Sequence, residues 1–261
     1  MDPHVGWSDL PEGVRRAVEL RFGAVVSART VTEGITCRTA LNLVTATETL
    51  FLKGVPVADR DGVAAQRTEV RINGNVRTVG PAVRWEGVAG GWHLVVFDHL
   101  EGRHADFAPG SADAGVVADV LRRARLCRAP EGEPVPPLIE RYGAVLGPGD
   151  ADVLAGSSLL HTDTNPHNIV ITPRGGHLVD WAMPAIGPAW VDAANTAVRL
   201  MGFGWEPREA LAWLRAFPDW ESAAPSARAA FVRVVTDDAT ARFGQYAVEE
   251  NARFHSLLTT G

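Results

Sequence analysis

The stretch His161-Thr162-Asp163-Thr164-Asn165-Pro166-His167-Asn168-Ile169-Val170-Ile171-Thr172-Pro173-Arg174-Gly175-Gly176-His177-Leu178-Val179-Asp180-Trp181 decides how this chain is read. Two short apolar runs flank the turn formers 173–176, the pattern of a β-hairpin. With a four-residue loop, Thr172 faces His177, Ile171 faces Leu178, Val170 faces Val179 and Ile169 faces Asp180. Asn168 and Asp180 then meet at the open end, and Asp163 lies just before it in a loop broken by Pro166. An Asp and an Asn at a hairpin mouth form a hard oxygen site. Mg²⁺ suits it, because that ion takes few protein oxygens and keeps room for water and phosphate. Asp163, five residues before the Asn, can face a substrate hydroxyl. Metal ligands on one side and a proton-accepting carboxylate on the other are what phosphoryl transfer requires. The plainer alternative is that Asp163 and Asn168 only cap turns.

The run resembles the catalytic loop and metal-binding segment of the aminoglycoside phosphotransferase family, within the protein-kinase-like superfamily. That family typically reads His-Gly-Asp, a few residues to Asn, then an apolar hairpin ending in Asp-Trp or Asp-Phe. Thr162 stands where Gly is usual, at a position expected to carry no chemistry. Gly187-Pro188 followed by Asp192 loosely matches a Gly-Asp-Pro-like turn that leads to a helix-borne Asp. The resemblance implies that Asp192 braces the catalytic loop and that His161 packs and hydrogen-bonds locally to hold it. It implies an α+β, bilobal protein-kinase-like fold. A small antiparallel-sheet lobe over 1–99 would bind nucleotide, and a larger helical lobe over 100–261 would carry catalysis and substrate, with a hinge near 98–102.

The N-terminal part offers an independent test. Of 25 basic residues, one is Lys53 and the other 24 are Arg. Lys is a compact point charge and Arg a broad planar fork, so the survivor marks a position where the two are not equivalent. Lys53 ends the apolar run Leu50-Phe51-Leu52, and Glu69 is the carboxylate well inside the following helix. By resemblance Lys53 holds the α- and β-phosphates of ATP or GTP, oriented by Glu69. In the turn 32–38, Gly34 permits close backbone approach and Thr36 has a hydroxyl for a phosphate oxygen, although an ordinary hairpin turn accounts for both. The segment around Asp98 and Leu100 is, by resemblance, the hinge that recognises the base through its backbone. Cys37 reads as a packed residue, not a reactive thiol.

Composition bounds the rest. The chain has 261 residues, 46% of them hydrophobic and 21% charged, with a net charge of −6. That is a globular composition with no electrostatic call for nucleic acid or an anionic membrane. No uncharged apolar window reaches 18 residues, and the N-terminus lacks a basic region followed by an apolar run, so a cytoplasmic setting is expected. Two cysteines cannot build a disulfide framework or a structural zinc site. The partners expected are a nucleotide and a small-molecule substrate.

Asp9-Leu10-Pro11-Glu12 reads as a capping box opening a helix that ends near Gly23. Strands are expected at 25–32, 37–46 and 49–53, a helix at 61–73 and a buried strand at 94–97. Helices follow at 114–128, 189–202, 207–216 and through most of 226–258. The acceptor is expected to be an aminoglycoside or related antibiotic. A local acidic pocket for a polyamine would have to draw on Glu206, Glu209, Asp219, Glu221, Asp237, Asp238, Glu249 or Glu250, and a solvated helix face accounts for most of those residues better. The alternatives are a kinase of another metabolite (an amino alcohol or sugar), a metal-dependent hydrolase built on His161, Asp163, His167 and Asp180, and a non-catalytic kinase-like binding protein.

Overall fold

The computed structural model describes residues 4–31, 37–132 and 135–259. The chain divides into two compact units, Met1–Gly102 with Val179–Ala182, and Arg103–Leu178 with Met183–Gly261. Among the described residues no helix is long and apolar enough to cross a membrane.

The first unit holds α1 (Glu12–Phe22), β1 (Val25–Thr30), β2 (Thr39–Thr45), β3 (Thr49–Pro56), α2 (Arg60–Val76), β4 (Val83–Ala89) and β5 (Trp92–Asp98). The strands form one antiparallel sheet in the order β1-β2-β3-β5-β4. Successive strand residues point to opposite faces. On one face Leu41, Leu43, Leu50, Leu52, Leu94 and Val96 pack with Leu10, Val14 and Val18 of the α1 region. The opposite face carries Lys53, Val95 and His93, and all three are buried. Helix α2 turns Gln66, Glu69, Ile72, Asn73 and Val76 inward at helical spacing.

Three sequence expectations change here. Helix α1 starts from Pro11 with no side-chain cap, because Asp9 belongs to a preceding 3-10 turn, so 9–12 is not a capping box. Strand β4 goes unread in the sequence; it is an edge strand whose exposed and half-buried residues alternate, and it has no continuous apolar run. Helix α2 begins earlier than read and runs longer, opened by Asp59, whose side chain accepts from Gly62 N.

The second unit holds β6 (Arg103–His104), α3 (Asp113–Ala124), α4 (Asp150–Val153), β7 (Ser158–Leu160), β8 (Ile169–Thr172), β9 (Gly175–Leu178) and β10 (Ala185–Gly187). Helices α5 (Val191–Gly202), α6 (Pro207–Leu214), α7 (Pro218–Ser222), α8 (Pro225–Phe243) and α9 (Val248–Ser256) complete it. Trp190 meets Trp220 and Phe231 edge to face, and Phe231 meets Phe254, which forms the aromatic centre of the helical layer. The indole N–H groups of Trp205 and Trp213 donate to Phe107 O and Ala114 O, each at 2.9 Å. Trp205 thereby ties two irregular segments together and Trp213 ties α6 to α3, so both are fixed structurally.

The hairpin forms, but in a different register. Thr172 pairs with Gly175 and Ile169 with Leu178, so the loop has two residues and not four. Gly175 adopts φ 115°, which the tight turn needs, and Thr172 Oγ1 accepts from Arg174 N at 3.1 Å and donates to Gly175 O at 3.1 Å. Asp180 therefore does not face Ile169 across the ladder. It lies beyond the end of β9, in the four-residue segment that packs with the first unit.

Short β7 leads straight into His161 and pairs with β10, Ser158 opposite Gly187. A Cβ on Gly156 would fall 2.0 Å from Gly187 C and 2.1 Å from Gly187 O. Backbone on both sides leaves nothing flexible to give way. Gly156→Ala should therefore destabilise by about 3 kcal/mol or more, well beyond the ~1 kcal/mol of an ordinary substitution. Urea denaturation checks this; a shift under ~1 kcal/mol would contradict the packing described.

Candidate active site

Lys53 is 7% exposed, and its ammonium has three protons to place. All three are used. Nζ donates to Glu69 Oε1 at 3.1 Å, Glu69 Oε2 at 2.9 Å and Asp180 Oδ1 at 2.9 Å. The Phe97 ring lies 5.6 Å away on the same sheet face. Burial alone would lower the Lys53 pKa; the carboxylates of Glu69 and Asp180 overcome it and hold the group well above the usual lysine range. Glu69 Oε1 also accepts from Trp181 N at 3.3 Å, so one helix-borne carboxylate grips both the lysine and the Asp180-Trp181 segment. Asp180 sits at φ 65°, a left-handed conformation that Asp tolerates better than most residues. Burial pushes the neighbouring Cys37 thiol up to about 11, so it stays protonated at neutral pH, as its reading as a packed residue expects.

In the second unit the loop after β7 is organised by Asp192 on the first turn of α5. Its Oδ2 accepts from His161 N at 2.8 Å and its Oδ1 from Thr162 N at 2.9 Å. Burial pushes the Asp192 carboxyl up, while His161 and the two backbone N–H groups pull it down. Thr162 adopts φ 71°, a conformation that favours glycine and is a true outlier for a β-branched residue. The replacement of Gly is thus not indifferent. The strained backbone is held by Asp192, and Thr162 Oγ1 donates to Met183 O at 2.8 Å. Arg141 donates to the same carbonyl.

His161 is buried, and its Nδ1 accepts from Asp163 N at 3.3 Å. Asn168 Nδ2 donates to Asp163 O and Oδ2, both at 3.0 Å. Asn165 Nδ2 donates to Asp163 Oδ1 at 2.8 Å, while Asn165 Oδ1 accepts from His167 N at 2.9 Å. Two amides therefore clamp the two oxygens of one carboxylate. Asn168 spends its nitrogen on that clamp, which turns its oxygen into the group left for a hard cation. Asn165 is the residue that the sequence reading missed. Asn-Pro signals a turn, and the side chain does make one, but nothing in the spacing aims its amide at Asp163.

The remaining candidates are placed as follows. Gly34 and Thr36 lie outside the described residues. Asp98 ends β5 and accepts from Arg84 Nη1 at 3.0 Å; Leu100 follows in an irregular segment. Among the described residues, no group of three or more His, Cys, Asp or Glu is placed to hold a metal ion.

Residues 118–225 match the model of the phosphotransferase enzyme family. The chain is similar in fold to the choline kinase LicA from Streptococcus pneumoniae, at TM-score 0.63 and 13% identity over 94% of this chain and 97% of that one. It is also similar to a thermostable aminoglycoside phosphotransferase APH(4)-Ia in ternary complex with ADP and hygromycin B, at TM-score 0.60 and 16% identity over 95% and 99% of the two chains. A choline/ethanolamine kinase family protein from Mesorhizobium loti gives TM-score 0.59 and 18% identity over 94% and 92%. These likenesses show that the fold is the kinase-like α+β fold. A comparison with curated protein sequences returns no match.

Three short hydrogen bonds from one buried ammonium set a sharp geometric demand. A guanidinium keeps the charge but is wider and planar, and it cannot aim at the same three oxygens. Lys53→Arg should cost about 2 kcal/mol in urea denaturation, against ±0.5 kcal/mol for a solvated position. Lys53→Met, which leaves two carboxylates facing each other, should cost more, about 3–5 kcal/mol. Equal stability of both variants and wild type would contradict the buried triad.

Proposed function

We propose that this chain, whose residues 118–225 match the phosphotransferase enzyme family, transfers the γ-phosphoryl group of ATP or GTP to a hydroxyl of a small molecule. The observation that carries the reading is the chain's one lysine, fully bonded to Glu69 and Asp180. It is joined by a second, separate arrangement in which Asn165 and Asn168 clamp Asp163. Neither arrangement suits a merely structural role. A buried lysine is an expensive way to fill a core, and a surface loop does not need two amides on one carboxylate.

In this reading Lys53 holds the α- and β-phosphates and Glu69 keeps its ammonium in place. Asn168 and Asp180 would hold Mg²⁺, offering a neutral amide oxygen and a carboxylate, a hard and sparse donor set that leaves room for phosphate and water. When bound, the ion neutralises charge on the phosphates. Asp163 accepts the hydrogen bond of the acceptor hydroxyl and then its proton. With Asn165 on Oδ1 and Asn168 on Oδ2, the carboxylate cannot rotate away from that task, and positioning of this kind supplies much of the catalysis in phosphoryl transfer. Asp192 fixes the backbone from which Asp163 projects, and His161 holds the Asp163 N–H. Asp98 and Leu100 fall where the base would be recognised through backbone groups. A cytoplasmic setting, which supplies nucleoside triphosphate, fits this reading.

Two acceptor classes follow from the family resemblance, an aminoglycoside or related antibiotic and a smaller amino alcohol or sugar. One observation favours the second. Of the eight acidic residues that would line a polyamine pocket, five are ion-paired with arginine. Asp219 pairs with Arg125, Asp237 with Arg233, Asp238 with Arg242, Glu249 with Arg253 and Glu250 with Arg199. The other three, Glu206, Glu209 and Glu221, are exposed on the helices α6 and α7 or at their starts. Carboxylates already matched by arginine offer little to a polycation. A nucleotide-consumption screen over aminoglycosides, macrolides, amino alcohols and sugars, run with ATP and with GTP, tests the choice. Turnover with no hydroxyl compound of any class would sink the transferase reading.

Two substitutions test the roles. Asp163→Asn keeps the size of the side chain but removes the proton acceptor and turns one of the two clamped oxygens into a donor, so kcat should fall at least about a hundredfold while nucleotide affinity changes little. Near wild-type turnover would remove Asp163 from the mechanism. Asp180→Ala leaves Asn168 as a weak neutral ligand, and the Mg²⁺ dependence of nucleotide binding should vanish in calorimetric titrations. Unchanged metal-linked affinity would show that Asp180 holds no cation.

A further inference from the structure

Gln66 and His93 take no part in the chemistry proposed above, yet they lie in the buried layer between α2 and the sheet, 4% and 2% exposed. His93 Nε2 is 2.9 Å from Glu86 Oε1 on the edge strand β4. With the Gln66 amide oriented to match its neighbours, its nitrogen donates to His93 Nδ1 at 2.7 Å and to His93 O at 3.3 Å, and its oxygen accepts from Gly54 N at 3.2 Å. His93 Nδ1 is then an acceptor, so the ring proton sits on Nε2 and is donated to Glu86. One glutamine ties α2 to two strands, to β5 through His93 and to β3 through Gly54.

The positions of these ties matter. Gly54 follows Lys53 directly, and Gln66 precedes Glu69 by three residues, nearly one helical turn, on the same inward face of α2. Apolar burial by Ile72 and Val76 holds the helix against the sheet but is non-directional. Lys53 and Glu69 are both long side chains, and their own contact would tolerate a shifted or rotated helix. Hydrogen bonds constrain distance and angle, and a buried polar group whose partner slips away loses its pairing and its solvation together. A cheaper design would have filled this space with apolar side chains. We propose that the Gln66–His93 contact is a positioning device that sets the register of α2 against β3, so that Glu69 meets Lys53. Its consequence for nucleotide binding rests on the role proposed above for Lys53; its geometric content does not.

The composition supplies a direct probe. Lys53 is the only lysine, so acylation of the full-length chain by an N-hydroxysuccinimide ester, read by mass spectrometry after digestion, reports on that side chain apart from the N-terminus. Gln66→Met keeps length and bulk and removes the bonds to His93 and Gly54. His93→Phe keeps a ring and removes both nitrogens. Each variant should melt within a few degrees of wild type, acylate Lys53 about tenfold faster or more because Glu69 no longer stays in place, and lose stabilisation by Mg-ATP. Lys53 as protected as in wild type in either folded variant overturns the proposal. So does unfolding of both variants, which would mean that the contact supports the unit as a whole and positions nothing. Faster acylation in the variants, with wild type itself unmoved by Mg-ATP, would leave the positioning device standing and remove the phosphate role of Lys53.

Discussion

An ammonium group can be withdrawn from water only if each of its protons is met and its charge is balanced. Lys53 imposes that condition on the whole first unit. It calls for a carboxylate from a helix on its own sheet face, and α2 supplies Glu69. The pairing of β3 with β5 puts Val95 beside the lysine, and both residues are buried, so a lost partner would be costly. A second carboxylate comes from Asp180, far along the chain, whose segment 179–182 leaves the hairpin and packs with the first unit. The left-handed turn at Asp180 is the conformational cost of delivering that oxygen, and the bond from Trp181 N to Glu69 helps to hold it there.

The second unit solves a similar problem with the opposite charge. Asp192 is a buried carboxylate offset by the nearby His161 ring and by two backbone N–H groups, those of His161 and Thr162. Such bonds are rigid because the donors belong to the chain itself and not to a flexible side chain. They allow Thr162 to remain at a backbone geometry that a β-branched residue would otherwise leave. The next residue, Asp163, thereby projects from a fixed point. Its carboxylate is then oriented from outside by Asn165 and Asn168. The order is backbone first, carboxylate second, and it explains why the loop can be short and irregular yet well defined.

How much of this can be read from the sequence depends on the range of the interaction. The pairing of Lys53 with Glu69 is legible because the lysine is compositionally singular and the helix holds few inward carboxylates. Asp163 and Asn168 are legible from spacing. The hairpin register is not, because turn formers at 173–176 fit a four-residue loop and a two-residue loop equally well; Gly175 decides by adopting a positive φ, and Gly176 enters the strand. That one difference moves Asp180 off the ladder. Edge strand β4 is hidden by its polar alternation, and the supposed capping box at 9–12 by a 3-10 turn that sequence patterns do not distinguish. Asn165, Gln66 and His93 escape because their importance lies in where a side-chain amide points, and neither propensity nor periodicity encodes that.

The charge balance around Lys53 also bears on how a nucleotide would enter on the proposed reading. One ammonium faces two carboxylates, and every lysine proton is already engaged. Phosphate oxygens cannot simply add to such a cluster; they must take the place of an existing acceptor, and their own charge must be offset. Glu69 is the acceptor less able to leave, since it is buried and also holds Trp181 N. Asp180 is the more exposed of the two and gives a single oxygen. On that reading Asp180, with Asn168, would hold a divalent cation that offsets the phosphate charge, and the lysine proton that Asp180 now engages would be available to a phosphate oxygen. A lysine suits the position on that reading, because a group with three compact, rotatable donors can trade one acceptor for another while keeping the other two bonds intact.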